Sequence, residues 1–319
     1  MMIFSLRFGS HLVVIISFPC TVEECFTKIG CYHIIFANRP IFLFGKYIVI
    51  VCSSYLSYNN TIITSAPYGE HWRNLRRLSA LEIFSPNRLN MFIGTRRDEI
   101  KILLHRLSQN SRDNFARVEL RLMFTELTCN IIMRMVAGKR YYGEDVDFEE
   151  AKHFHEILIL VGTETTATTI EWAMSLLLNH PDVMKKARVV ELDTHVRKDR
   201  LMEESDFPKL HYLQSIISET LRLFPAAPVL VPRMSSDNCQ IGGFNIQRDT
   251  ILLVNVWAIH RDPKLWKDAT SFKPERFENG ESETYKLLPF GLRKRACPGV
   301  GLANRVTARF DFGVIDSVL

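Results

Sequence analysis

The segment from Phe154 to Asn179 limits the possible folds of this chain more than any other, because it joins helical length to a largely apolar character. Within it, Ile157 to Leu178 carries Glu164, Glu171 and five threonines, too many polar groups for a membrane span. The pattern predicts a core helix buried on most sides, around which further helices must pack. His180-Pro181 ends it, since Pro181 has no amide hydrogen and disfavours helix at the residue before it.

Helical patterns recur on either side of this segment. Trp72, Leu75, Leu78, Leu81 and Phe84 repeat at spacings of three and predict one apolar face. Further helices are expected over Arg97 to Leu107 and Leu120 to Val136, with Lys139 to Asp147 as a loop. Asp206 and Pro208 introduce a helix whose Leu210, Leu213, Ile217, Leu221 and Phe224 form a narrow stripe, closed by Pro225. Strands are fewer: β-branched runs over Ile3 to about Ile63 read as strands and short helices, and Val229 to Val231, Cys239 to Ile241, Phe244 to Ile246 and Ile251 to Val256 as short strands, with Gly242-Gly243 as a hairpin turn. The fold class is therefore mainly α with a small β portion.

A net charge of +5 is mild and dispersed, so nucleic acid is not an expected partner. Seven irregularly spaced cysteines do not form a disulfide framework and suit a reducing compartment. The apolar runs at His11 to Phe18 and Ile41 to Leu56 are too short or too interrupted to anchor the chain in a bilayer.

The chemistry concentrates in Leu288-Pro289-Phe290-Gly291-Leu292-Arg293-Lys294-Arg295-Ala296-Cys297-Pro298-Gly299. One cysteine stands there in a cationic, glycine-bounded loop ahead of a helix. The three cations and the helix N-terminus both favour the thiolate, which is the form that binds metal. Gly162-Thr163-Glu164-Thr165-Thr166 places a carboxylate beside a hydroxyl in the long helix, a pair that can pass protons. Pattern alone allows instead that Thr165 bonds back to a helical carbonyl and that Glu164 pairs with a base. Glu219 and Arg222, three apart, share one helix face and read as an exposed ion pair that contributes about 0.2–0.5 kcal/mol.

These motifs, with Pro274-Glu275-Arg276-Phe277, stand in the order shown by the cytochrome P-450 family, which the chain resembles over Gly69 to Lys152, Leu158 to Val306 and, more thinly, Arg7 to Pro40. The resemblance is to plant microsomal members, particularly the branch that hydroxylates isoflavonoids and related phenolics. It implies haem b held by Cys297 as metal ligand, shielded by Phe290. Arg295, Trp72, Arg76 and Arg233 would contact the propionates, and Gly299 would let the loop turn. It implies Glu164 and Thr165 as the catalytic proton-handling pair beside Gly162, and a buried structural network of Glu219, Arg222 and Arg276. The reaction implied is insertion of one atom of dioxygen into a small lipophilic or phenolic substrate, with electrons from NADPH through an NADPH-cytochrome reductase. The place implied is the cytosolic face of the endoplasmic reticulum, although the expected anchor is absent, so that a soluble cytoplasmic protein is the other option.

The chain departs from the family in four ways. Arg293 stands where the family has glycine, which would cost on the order of 1–2 kcal/mol if the backbone there needs positive φ. Val161 stands where the family has alanine or glycine, tightening the distal side. Only 90 positions separate Trp72 from Gly162, about half the family's usual span. The shortfall is placed near His155 to Ile157, where the helices that roof the substrate pocket would lie. After Arg305 the apolar helical pattern fades, and the last hairpin is missing. The expectation is thus an incomplete P-450 fold in a single domain over 1–319. Its parts would be a β-rich edge over 1–68, early helices over 69–156, the long helix, ion-pair helix and cysteine loop over 157–306, and a divergent tail over 307–319. The alternative is a catalytically inactive truncated remnant, with or without haem.

Overall fold

The computed structural model describes residues 3–27, 32–40, 60–110, 117–143, 162–192, 194, 196, 202–278 and 285–318. In chain order the main elements are β1 Ile3–Phe8, β2 His11–Ile16, α1 Pro19–Thr27, α2 Glu70–Leu78, α3 Pro86–Met91, α4 Ile93–Asn110, α5 Leu120–Val136, α6 Glu164–Asn179 and α7 Pro181–Lys186. There follow α8 His211–Leu223, β3 Arg233–Met234, β4 Cys239–Ile241, β5 Phe244–Ile246, β6 Ile251–Val254, α9 Val256–Ile259 and α10 Val300–Val318. The chain forms two compact units, Met1–Ala80 with Ala227–Ser271 and Ser282–Pro298, and Leu81–Ala226 with Phe272–Glu281 and Gly299–Leu319.

The first unit carries the sheet. Its strand order is β1-β2-β6-β3, with β2 parallel to β6 and the other pairs antiparallel. Val13 of β2 is buried, and Val14 and Ile16 of β2 share one core with Leu252 and Val254 of β6, Phe26, Phe36 and Leu288. The β4–β5 hairpin turns at Gly242 and Gly243, both with positive φ (56° and 85°), the geometry expected of that dipeptide. Val229 to Val231 is not a strand: it makes a single bridge from Val229 to Asn255 and one bond from the Leu230 amide to the Val254 carbonyl. Strand β6 ends at Val254, because Asn255 turns the chain by capping α9, its side-chain oxygen accepting from the Ala258 amide.

The second unit is helical. Phe124, Leu127 and Ile131 of α5, Ile170 and Met174 of α6, Leu103 of α4 and Leu302 and Val306 of α10 form its core. Helix α6 buries Thr166, Ala167, Ile170, Ala173, Met174 and Leu177 at helical spacing, while Trp172 and Leu178 are exposed. Burial on most sides is therefore not observed in its described part. Helix α5 has the bounds expected for it. Helix α8 is buried nearly all round rather than along a stripe. The Glu191 carboxylate takes the place of an N-cap for it, accepting from the amides of Tyr212 and Leu213 (the latter at 2.8 Å).

Two further expectations are corrected. Leu78 and Leu81 are 56% and 58% exposed, so the spaced-by-three set has no common buried face. Steps of three fall short of a helical turn of 3.6 and wind the set around the axis. Thr307 to Val318, read as a tail without helical pattern, continues α10, and Val306 to Arg309 are buried. Val161, His155 to Ile157 and the charged run 145–152 lie outside the described residues.

Candidate functional site

The cysteine loop is built by its own backbone. The Gly291 amide donates to the Leu288 carbonyl (3.1 Å), a short 3-10 turn follows over Arg293–Arg295, and the Cys297 amide returns to the Phe290 carbonyl (2.9 Å). These bonds hold Cys297 with its thiol exposed and unbridged. The left-handed residues are Gly291 (φ 70°) and Arg293 (φ 57°). Arginine thus occupies a conformation that favours glycine, as its position implied. Gly299 is not left-handed; its carbonyl accepts from the Ala303 amide in the first turn of α10.

The expected propionate contacts belong to the same unit as this loop. Arg295 is buried, donating to the carbonyls of Ala37 (2.7 Å) and Ala66 (2.6 Å), and its guanidinium lies 4.3 Å from the centre of the Trp72 ring. Arg76 donates to the Ala296 carbonyl (2.8 Å), next to Cys297 in the chain, and lies 5.9 Å from the same ring. The Trp72 indole donates to the Ile63 carbonyl (3.0 Å). Arg233 is buried, donating to the Leu292 carbonyl (2.8 Å) with its guanidinium 4.2 Å from the Phe26 ring centre.

A fourth cation was not anticipated. Arg39 is buried and donates to the carbonyls of Thr64, Val231 and Pro232. Burial, then Arg39 and Arg295, push the Arg233 guanidinium down to about 9; burial, then Arg39 and Arg76, do the same to Arg295. Among the described residues the partners of these arginines are carbonyl oxygens and aromatic faces, with no carboxylate. Buried cations that lower one another without a counter-ion make a receptor for an anionic group. An exposed thiol and such a receptor in one compact unit fit haem, which offers an iron and two propionates. Arg39 escaped sequence reading because nothing around it in the chain marks it.

The second unit holds the remaining expected residues. Glu164 opens α6, and its carboxylate is approached by the Thr125 hydroxyl at 3.5 Å. The Thr165 hydroxyl has no hydrogen-bond partner among the described residues, whereas the Thr165 carbonyl accepts from Thr169 (2.8 Å). Among the described residues, Thr165 does not bond back to a helical carbonyl and Glu164 makes no ion pair with a base. At Gly162 an added Cβ would meet the Ile132 side chain of α5 at 3.4 Å, an ordinary van der Waals contact.

Glu219 and Arg222 are each fully buried. Arg222 donates from Nε to Oε2 (2.6 Å) and from Nη2 to Oε1 (2.8 Å) of Glu219, while Arg276 Nε (3.0 Å) and the Lys273 amide (2.9 Å) also reach Oε1. The pair is not the surface contact that its spacing alone suggests. Tyr212, on the same helix, donates its hydroxyl to Glu275 (2.7 Å).

Known proteins resemble this chain over nearly its whole length. The Cytochrome P450 family profile matches residues 2–161 and 143–307. Cytochrome P450 81Q32 of Catharanthus roseus is 44% identical over 389 residues, covering 95% of this chain and 76% of that protein. Isoflavone 3'-hydroxylase of Medicago truncatula is 44% identical over 407 residues, covering 98% and 78%. These alignments are longer than the 319 residues of the chain, so the relatives carry interior residues without a counterpart here, and the fold is incomplete relative to theirs. A zebrafish cytochrome P450 solved with abiraterone superposes with a TM-score of 0.81 at 25% identity, covering 98% of this chain and 87% of the other. The chain belongs to the cytochrome P450 family of haem monooxygenases.

Proposed function

We propose that this chain is a haem-thiolate monooxygenase that hydroxylates a small phenolic or lipophilic substrate of the isoflavonoid kind, with electrons from NADPH delivered by a reductase. The observation that carries the reading is the exposed Cys297 in one compact unit with four arginines that face no carboxylate among the described residues. The substrate class follows the relatives, among them isoflavone 3'- and 2'-hydroxylases at 44% and 42% identity.

Bound haem supplies the redox centre at which dioxygen is activated. The residues of the chain do the rest. Cys297 supplies the thiolate, and Arg39, Arg76, Arg233 and Arg295 orient the propionates as charge-assisted donors. Phe290 shields the sulfur. By kinship, Glu164, whose carboxylate is approached by the Thr125 hydroxyl, and Thr165, whose hydroxyl has no hydrogen-bond partner among the described residues, would form the proton-handling pair. Glu219, Arg222 and Arg276 tie α8 to the segment Lys273 to Phe277 in the second unit. No helix among the described residues is long and apolar enough to cross a membrane; the cytosolic face of the endoplasmic reticulum is proposed from kinship alone.

The test is turnover of the haem-loaded chain with NADPH, a plant reductase, isotopically labelled dioxygen and a panel of isoflavones. One labelled oxygen per product molecule supports the reading, and Thr165→Ala should then divert electrons to peroxide. NADPH consumption without product from any substrate would instead favour the inactive remnant, the reading that rests on the interior residues the relatives carry and this chain lacks.

A further inference from the structure

His260 is fully buried at the end of α9, and its Nε2 lies 2.9 Å from the backbone amide of Leu288. A backbone N–H can only donate, so Nε2 must be the acceptor, and the imidazole must be neutral with its proton on Nδ1. Leu288 is itself 1% exposed and is the residue from which the cysteine loop departs. Its carbonyl receives the Gly291 amide, and the next return bond runs from the Cys297 amide to the Phe290 carbonyl.

The short helix that ends at His260 is anchored as well. The Asn255 amide donates to the Ile16 carbonyl (2.8 Å), the Trp257 amide to the Pro228 carbonyl (2.9 Å) and the Trp266 indole to the Ile259 carbonyl (3.1 Å). The His260 amide closes the short helix on the Val256 carbonyl (2.8 Å). A sheet-anchored acceptor therefore meets the first residue of a loop whose later carbonyls, at Leu292 and Ala296, are held by Arg233 and Arg76.

We infer that His260 is a positioning residue for the cysteine ligand: its Nε2 fixes the base of the loop and so sets where the Cys297 sulfur stands. The inference rests on the haem-thiolate reading above. Without the acceptor, a buried amide is left unpaired, and the loop must shift to satisfy it.

The test compares the wild-type chain with His260→Leu, which removes the acceptor, and His260→Gln, whose amide oxygen can replace it. Two quantities are read: amide exchange at Leu288, and the fraction of bound haem that shows the red-shifted thiolate band in the ferrous carbon-monoxide complex. We expect His260→Leu to speed Leu288 exchange roughly tenfold or more and to cut the thiolate fraction several-fold in favour of the neutral-thiol band. His260→Gln should restore both. A folded His260→Leu chain with an unchanged thiolate fraction overturns the inference. If His260→Leu does not fold, His260→Gln decides: protection of Leu288 together with the thiolate band supports it, and lost protection with an unchanged band overturns it. Absence of the band in the wild type would count against the haem reading instead, and Leu288 exchange would still show whether His260 holds the loop.

Discussion

Arg222 grips both carboxylate oxygens of Glu219 at a site where neither side chain has any exposed surface, and Arg276 and the Lys273 amide share one of those oxygens. Removing the carboxylate leaves a buried guanidinium without its counter-charge, a change that costs about 3–5 kcal/mol. Glu219→Ala should lower the urea midpoint by a corresponding amount or prevent folding. A midpoint within experimental error of wild type would mean that the pair contributes no more than a surface contact.

A second buried carboxylate, Glu204, faces three arginines. Arg96 donates twice to it (2.6 and 2.7 Å), Arg305 once (3.2 Å), and Arg309 stands at 3.8 Å. One nitrogen of Arg96 and one of Arg309 are buried without an acceptor, and burial lowers the pKa of Arg309. Glu204→Gln should therefore destabilise by about 3–5 kcal/mol. Arg309→Leu removes a poorly paired cation and should leave the melting temperature unchanged or raise it. Thermal melts of both variants check these opposite signs.

Arg293 holds φ at 57° in the cysteine loop. Relief of that strain by glycine is on the order of 1–2 kcal/mol. Arg293→Gly should raise the haem bound per polypeptide, measured by pyridine haemochrome against protein concentration. Unchanged occupancy would show that the loop does not depend on this residue.

The uncompensated arginines predict a dependence on the propionates. Haem with both propionates esterified should stabilise the chain less than haem itself, because two anionic groups are lost opposite Arg39, Arg233 and Arg295. Equal shifts in melting temperature with the two forms would assign these cations a different role.

The candidate residues were legible because their motifs are local. The cysteine loop, the Glu219–Arg222 spacing and Glu164-Thr165 each lie within a few residues, and even the left-handed Arg293 follows from glycine-like position. What was hidden depends on distant partners. Burial of Glu219 follows from Lys273 and Arg276, more than 50 residues away. The cap of α8 comes from Glu191, and the fourth cation, Arg39, is brought in through carbonyls of Val231 and Pro232 nearly 200 residues along the chain. Leu78 and Leu81 misled for another reason: a spacing of three resembles a helical face over one turn and departs from it over several.

The central claim is that Cys297 holds haem iron as a thiolate, and the ferrous carbon-monoxide difference spectrum of the expressed chain tests it most directly. The account predicts a red-shifted Soret band that is lost in Cys297→Ser. A chain that takes up no haem, or one whose band is that of a histidine- or thiol-ligated form, would contradict it.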